Sequence, residues 1–307
     1  MCVIPRIAQT PLQRLGTAAI QARDLADRAF AAAPGPTNEF PDLTVLKTAA
    51  VSWYMGMYAP ILRKAVDRRL IPARGAVFVD LLAGSGITAV KGRNLRLAGA
   101  SLIALQQPFD GVTACEIDGD RAALLQRRAK SVGSPVTFDV QAKAAQEAIP
   151  ELKQYLEQER AHFLAYIDLQ GAELAWADLA PLFQLRCDVI YNFQAAELNR
   201  NIGKPGYWEK VTGVPEIQRL PQEADRLHLF KRQFQDAGFD LVEDIRIGIE
   251  GSSFHYYLIF AAHRTKGGNP WWQLVIDSKR LIEEDVQGSV KSLLSILEGK
   301  QKTLPGL

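Results

Sequence analysis

Val77-Phe78-Val79-Asp80-Leu81-Leu82-Ala83-Gly84-Ser85-Gly86 is a short apolar run that ends first in an acid and then in glycines. Such a run suits a strand buried on both faces of a parallel sheet, with the chain turning sharply at its carboxyl end. Glycine is needed where backbone must pass close to a ligand with no Cβ in the way. Gly84-Ser85-Gly86-Ile87-Thr88-Ala89 also satisfies the GxGxxG/A spacing of dinucleotide sites. Asp80 separates the two readings. A pyrophosphate at this loop would be repelled by a carboxylate at the strand end. S-adenosylmethionine has no phosphate, and the ammonium of its amino-acid part is attracted by one. The stretch therefore reads as an adenosylmethionine loop, with Asp80, Ala83, Gly84, Ser85 and Gly86 as candidate binding residues.

Downstream, strand and helix patterns alternate. Gly111-Val112-Thr113-Ala114-Cys115-Glu116-Ile117-Asp118 reads as a second strand, followed by a helix over residues 120–129. Val136-Thr137-Phe138-Asp139-Val140 reads as a third strand, residues 143–160 as a helix, and residues 163–168 and 188–193 as a fourth and a fifth strand. A helix over residues 221–237 precedes two strands, residues 241–249 and 255–262, joined by Glu250-Gly251-Ser252-Ser253 as a hairpin. The pattern predicts a Rossmann-like α/β fold of the class I methyltransferase layout, a mostly parallel sheet with an antiparallel C-terminal hairpin. A dinucleotide dehydrogenase normally keeps its sheet parallel. Glu116, with Ile117 beside it, ends the second strand, where a carboxylate accepts hydrogen bonds from ribose hydroxyls. Asp139 is placed after the third strand, as a partner for the adenine amino group. All these acids fall on the carboxyl edge of the sheet, where such folds bind ligands.

Upstream, residues 1 to about 33 read as a helix, broken by Ala33-Pro34-Gly35-Pro36-Thr37-Asn38. A second amphipathic pattern covers residues 43–70, with an interruption expected near Pro60. The chain divides into an N-terminal helical extension (1–70), a ligand-binding Rossmann-like domain (71–265) and a C-terminal helical tail (266–307). Apolar residues make up 48% and charged residues 23% of 307, enough for a sizeable core without staples. A net charge of +2 neither demands nor excludes a polyanionic partner. The three cysteines, Cys2, Cys115 and Cys187, form no CxxC pair, which argues against a disulfide framework and a structural zinc site. That composition suits a reducing cytoplasm. No run approaches the roughly 20 apolar residues of a membrane span.

Asp80-Leu81-Leu82-Ala83-Gly84-Ser85-Gly86 resembles the Asp-Leu-Phe-Ala-Gly-Ser-Gly loop of adenosylmethionine-dependent nucleic-acid methyltransferases, with Leu82 in place of Phe. Across roughly residues 45 to 285 the chain is similar to the three-Cys-motif partner family (TcmP), bacterial proteins with a methyltransferase-like fold. The likeness is carried by the helix from Tyr54 to Arg63, the glycine loop, and Leu97-Ala98-Gly99-Ala100-Ser101. It continues through Ala114-Cys115-Glu116-Ile117-Asp118, Ala165-Tyr166-Ile167-Asp168, Ile190-Tyr191-Asn192-Phe193 and Tyr256-Tyr257-Leu258-Ile259. The resemblance implies association with a partner protein bearing a three-cysteine motif. Where that family has Asp-Pro-aromatic-Gly after its fourth strand, this chain has Asp168-Leu169-Gln170-Gly171.

Methyl transfer from a sulfonium needs alignment of donor and acceptor and exclusion of water. A base is required only if the acceptor must lose a proton. Asp168 is the candidate acceptor-orienting acid and Asn192, on the next strand end, its helper. Tyr166 is expected to point away if Asp168 faces the site. A nucleic acid is the first acceptor class to consider, because Lys91, Arg93 and Arg96 follow the loop and could grip phosphates. Solvated helix faces are the ordinary explanation for those residues and for Arg127-Arg128 with Lys130. Trp271-Trp272 reads best as packing of the C-terminal helix, and His162, His228, His255 and His263 form no metal set. The rival function is a non-catalytic scaffold of the same fold that binds a partner protein.

Overall fold

The computed structural model describes residues 10–204, 206–249, 254–265, 268–269 and 271–300. The described chain begins with helix α1 (Pro11–Ala32), strand β1 (Asn38–Phe40) and helix α2 (Leu43–Asp67). Strand β2 (Gly75–Asp80) follows, then the short strands β3 (Ile87–Val90) and β4 (Arg96–Ala98) and the short helix α3 (Ala100–Ala104). Next come β5 (Gly111–Cys115), α4 (Gly119–Ser131), β6 (Thr137–Gln141), α5 (Ala145–Gln158), β7 (Ala161–Ile167), α6 (Trp176–Phe183) and β8 (Cys187–Phe193). Helices α7 (Ala195–Arg200), α8 (Tyr207–Thr212) and α9 (Glu223–Asp236) lead into β9 (Leu241–Gly248) and β10 (His255–Ala262), and α10 (Trp272–Glu284) and α11 (Val286–Leu297) close the described chain.

The main sheet has the order β6-β5-β2-β7-β8-β10-β9. All neighbours are parallel except β10, which runs antiparallel to both β8 and β9. This is the Rossmann-like class I methyltransferase fold, as the alternating pattern predicts. The turn Glu250 to Ser253 lies outside the described residues.

Period-two alternation sorts the strands between two cores. Ala76 and Phe78, Leu164 and Tyr166, and Tyr256, Leu258 and Phe260 face α1, α2, α3, α10 and α11. Val77 and Val79, Phe163, Ala165 and Ile167, and Tyr257, Ile259 and Ala261 face α5, α6, α8 and α9. On that second face Trp176, Tyr191, Phe193, Phe230 and Phe234 meet ring to ring at 4.8–5.8 Å. Such pairs add about 0.5–1.5 kcal/mol each beyond their burial.

Helix α2 runs unbroken through Pro60, against the expected interruption. A proline ring collides with the carbonyl four residues back. Here that residue is Gly56, whose lack of a side chain lets its peptide tilt, and Tyr54, Tyr58 and Leu62 hold the helix on the sheet. Trp271 is buried and packs edge-on against Tyr58, so it fastens the start of α10 to α2. Cys115 and Cys187 are free and buried. Among the described residues, no helix is long and apolar enough to cross a membrane.

The glycine loop does not open a helix. Gly86 passes directly into β3, which pairs antiparallel with β4 and parallel with β1. Asn38 and Phe40 lie in register with Thr88 and Val90. The segment between α1 and α2, read from sequence only as a break, is thus an edge strand lying beside the loop.

Candidate functional site

Asp80, the last residue of β2, shares the parity of Phe78 and faces α3. Its Oδ2 accepts a hydrogen bond from Ser101 Oγ at 2.7 Å, and its Oδ1 accepts a long one from the Leu82 amide at 3.4 Å. Burial pushes its carboxyl up to about 7, with the nearby Asp168 adding to the rise. At the neighbouring strand end, the Ala83 amide donates to Cys115 O at 2.9 Å. That bond fixes the glycine loop beside the next residue, Glu116. The Glu116 carboxylate accepts from the Asp118 amide at 2.9 Å, and Ile117 beside it is 73% exposed. The second strand ends earlier than its sequence suggests, because Asp118 caps α4 by accepting from Asp120 N and Arg121 N.

Gly84 and Gly86 adopt φ of +59° and +78°, which glycine enters at no steric cost. A Cβ on Gly86 would stand 2.5 Å from Leu125 Cδ1. Ser85 turns its hydroxyl away from the loop's concave side and donates to Pro36 O at 3.0 Å. Arg128, fully buried, donates to Ser85 O and Ser85 Oγ and reaches the carbonyls of Ala33, Gly35 and Pro36. Its solvated-face reading is corrected: five carbonyl and hydroxyl oxygens replace water around it, and burial lowers the pKa of its guanidinium. Arg93 and Arg96 are likewise occupied. Arg93 pairs with Asp42 and Glu298, and Arg96 lies 3.9 Å from the centre of the Phe30 ring. Lys91 and Arg93 remain exposed at the surface.

Asp168 follows the end of β7 and is the most heavily engaged acid at this edge. Lys47 of α2 bridges both its oxygens, at 3.0 Å to Oδ1 and 2.7 Å to Oδ2. Asn192 Nδ2 donates to Oδ1, and Tyr166 OH donates to Oδ2 at 3.1 Å. The expectation that Tyr166 points away is overturned. Residues two apart on a strand share a face, so Tyr166 and Asp168 point together toward α2. Asn192 shares the parity of Ile190 and joins them. Its Oδ1 is buried and has no hydrogen-bond partner among the described residues.

Asp139 is not brought to this group. It lies within β6 rather than after it, and alternation turns it to the opposite face, where it is exposed. There it borders a separate cavity with Thr113, Gln141, Glu151 and Tyr155. The glycine loop instead lines a cavity of about 70 Å³ together with Asp80, Asp168, Gln170 and, from the N-terminal segment, Asn38, Phe40, Thr44 and Lys47. Beyond Lys47 lies a chamber of about 20 Å³ bounded by Phe40, Gln170, Gln194, Phe254 and Tyr256. Phe40, Thr44, Lys47 and Gln170 border both spaces.

The sequence matches no protein-family model and none of the curated proteins. Among solved structures the chain is similar to LPL1258 from Legionella pneumophila, with 9% identity over 76% of this chain and 91% of that one, at a TM-score of 0.46. It is similar to Pyrococcus horikoshii TYW2 in complex with MeSAdo, with 16% identity over 67% and 64% of the two chains and a TM-score of 0.36. The M. jannaschii TYW2 complex with AdoMet gives 14% identity over 67% and 76%, with a TM-score of 0.34. At these scores the likeness is loose, and the fold assignment rests on the strand order and crossovers of the chain itself.

Lys47, Ser101, Phe40 and Tyr256 had no signal as site residues in the sequence. Lys47 sits in a helical pattern where a lysine reads as solvated, and only the packing of α2 across the strand ends reveals it. His162 contacts Asp188, His255 contacts Glu223, and His263 stacks on Phe239. Among the described residues no group of three or more His, Cys, Asp or Glu could hold a metal ion.

Proposed function

We propose that the protein is an S-adenosylmethionine-dependent methyltransferase. One observation carries this reading. Two carboxylates, Asp80 and Glu116, end adjacent parallel strands on either side of a glycine loop that opens a strand rather than a helix. A dinucleotide pyrophosphate is normally held by a helix N-terminus after such a loop. Without that helix, and with Asp80 in its place, the loop favours a cationic, phosphate-free ligand.

The residues fit adenosylmethionine in kind. Asp80 with Ala83, Gly84, Ser85 and Gly86 would receive its amino-acid part, the Ser85 contribution being backbone alone. Glu116 would receive the ribose hydroxyls, and the exposed Ile117 offers an apolar seat for adenine. Once bound, adenosylmethionine would supply an electrophilic sulfonium methyl. Asp168, held by Asn192 and Tyr166, would orient an acceptor beside it, and the aromatic wall of Phe40 and Tyr256 would exclude water. Ligand sites for small molecules are commonly of about 300 Å³ or more. The adenosine edge is open at Ile117, whereas the methionine end requires residues 38–48 to shift.

We also propose, from the sequence resemblance, association with a three-Cys-motif partner protein. A nucleic acid stays a candidate acceptor, with Lys91 and Arg93 exposed after the loop.

A second reading is favoured by the closed cavity and by the Lys47–Asp168 pair, which fills the acceptor position. The fold would then be a non-catalytic scaffold for a partner protein. Calorimetric titration with adenosylmethionine, adenosylhomocysteine and NAD separates the two. Micromolar binding of either adenosyl ligand, without NAD binding, is expected; a folded sample that binds none sinks the methyltransferase reading.

A further inference from the structure

The Lys47 ammonium sits in a receptor of its own. It lies between both oxygens of Asp168, 5.6 Å from the centre of the Phe40 ring and 5.7 Å from that of Tyr256. A carboxylate flanked by two aromatic faces is the chemistry that holds an alkyl ammonium, through charge and through the ring quadrupoles. The carboxylate is fixed by Asn192 and Tyr166, so it does not depend on Lys47 for its position. Asn192 Oδ1, buried without a partner among the described residues, leaves one acceptor over at the same strand end.

The place of this receptor matters as much as its make-up. Lys47, with Phe40, Thr44 and Gln170, borders both the glycine-loop cavity and the chamber of Gln194, Phe254 and Tyr256. A group that met the Asp168 carboxylate from the chamber would have to stand where the ammonium now stands.

We propose that the chamber beside Asp168 is a site for an alkyl primary ammonium, that Lys47 is its internal occupant, and that the methyl acceptor is an amine of this class. The acceptor part rests on the methyltransferase reading; the ammonium site does not. Asp168 would first take a proton from the bound ammonium, because only the neutral amine has a free lone pair. Transfer would then form one C–N bond at that nitrogen as the donor's C–S bond breaks, leaving a secondary ammonium and a neutral thioether. When Lys47 withdraws, the charge it leaves on Asp168 is met by the incoming ammonium. An acceptor of the same charge is thereby selected over neutral alcohols and heteroaryl rings.

The test uses the full chain carrying K47A, with n-butylammonium chloride as probe and n-butanol as the control of equal shape. K47A is expected to bind butylammonium saturably and to gain thermal stability from it, but not from butanol. The apparent affinity should exceed that of wild type by about tenfold or more, since Lys47 withholds the competent state. The double variant K47A/D168N should lose the preference. Should K47A be unfolded alone, recovery in butylammonium but not in butanol supports the site. A K47A protein that is indifferent to butylammonium, or that responds equally to butanol, overturns it. Adenosylmethionine binding is measured separately on wild type. Its absence sinks the methyltransferase reading while the butylammonium result stands by itself. If both ligands bind and butylamine gains no methyl, the acceptor assignment is overturned and the ammonium site alone is kept.

Discussion

Arg128 holds Ser85 by two hydrogen bonds, one to its carbonyl and one to its hydroxyl oxygen, each 2.8 Å long. The same guanidinium reaches the carbonyls of Ala33, Gly35 and Pro36, so it ties the turn after α1 to the glycine loop. Substitution by methionine keeps the volume and removes every donor. R128M is expected to lose at least about 2–3 kcal/mol in urea unfolding, the scale of leaving buried acceptors unsatisfied. A loss of under about 0.5 kcal/mol, the scatter of surface substitutions, would contradict the bridging role.

Asp80 gives the site a pH dependence whose sign is fixed. Burial raises its carboxyl from the ordinary 3.8 to about 7. A cationic ligand gains from it only after it ionises, so adenosylmethionine affinity should rise as pH increases through about 7, by up to about tenfold per unit below that point. Folding stability runs the other way. The raised value stabilises the fold fully below about 4, and this is lost as pH rises toward 7. D80N should flatten both profiles, as calorimetry and thermal melts at several pH values would reveal.

Glu116 and Ile117 separate binding from folding. E116A should weaken adenosylmethionine binding by about 1–3 kcal/mol, the range for hydrogen bonds to a charged group. I117S removes an exposed side chain, so it should leave stability within about 0.5 kcal/mol of wild type. If Ile117 seats adenine, I117S nevertheless lowers affinity; unchanged titrations for both variants would remove the adenosine half of the site.

The two loop glycines should differ. Alanine at either must adopt a left-handed conformation costing about 1–2 kcal/mol. At Gly86 the new methyl also meets Leu125 at 2.5 Å, so G86A should be the less stable variant in chemical unfolding. At Gly84 the neighbour is Asn38 Nδ2, at 3.4 Å. G84A should therefore fold and lose ligand affinity out of proportion to its stability.

The strands of the main sheet and its mostly parallel character were legible because buried parallel strands carry local signals, a branched apolar run followed by glycine or acid. The glycine loop after β2 followed from the same signals, whereas β5 stops at Cys115, short of the expected Asp118. What escaped was everything set by packing between distant segments. β1 has only Asn38, Glu39 and Phe40 to announce it, and its pairing with β3 exists only after the helices dock. Lys47 and Arg128 looked solvated because a charge on a helix usually is; both are buried by partners far away in sequence. The Tyr166 expectation failed through misapplied alternation, and Asp139 lies inside β6, where the same alternation turns it to the face opposite Asp80.

Arg93 joins Asp42, the residue before α2, to Glu298, just past the end of α11, while Arg23 of α1 donates to Leu297 O. During synthesis, the roof over the glycine loop is thus made hundreds of residues before its brace. A chain still on the ribosome can pair its central strands and join Arg93 to Asp42, while the contacts from Glu298 and Leu297 wait for α11. Capture of ligand by a nascent chain and by the released protein should differ accordingly.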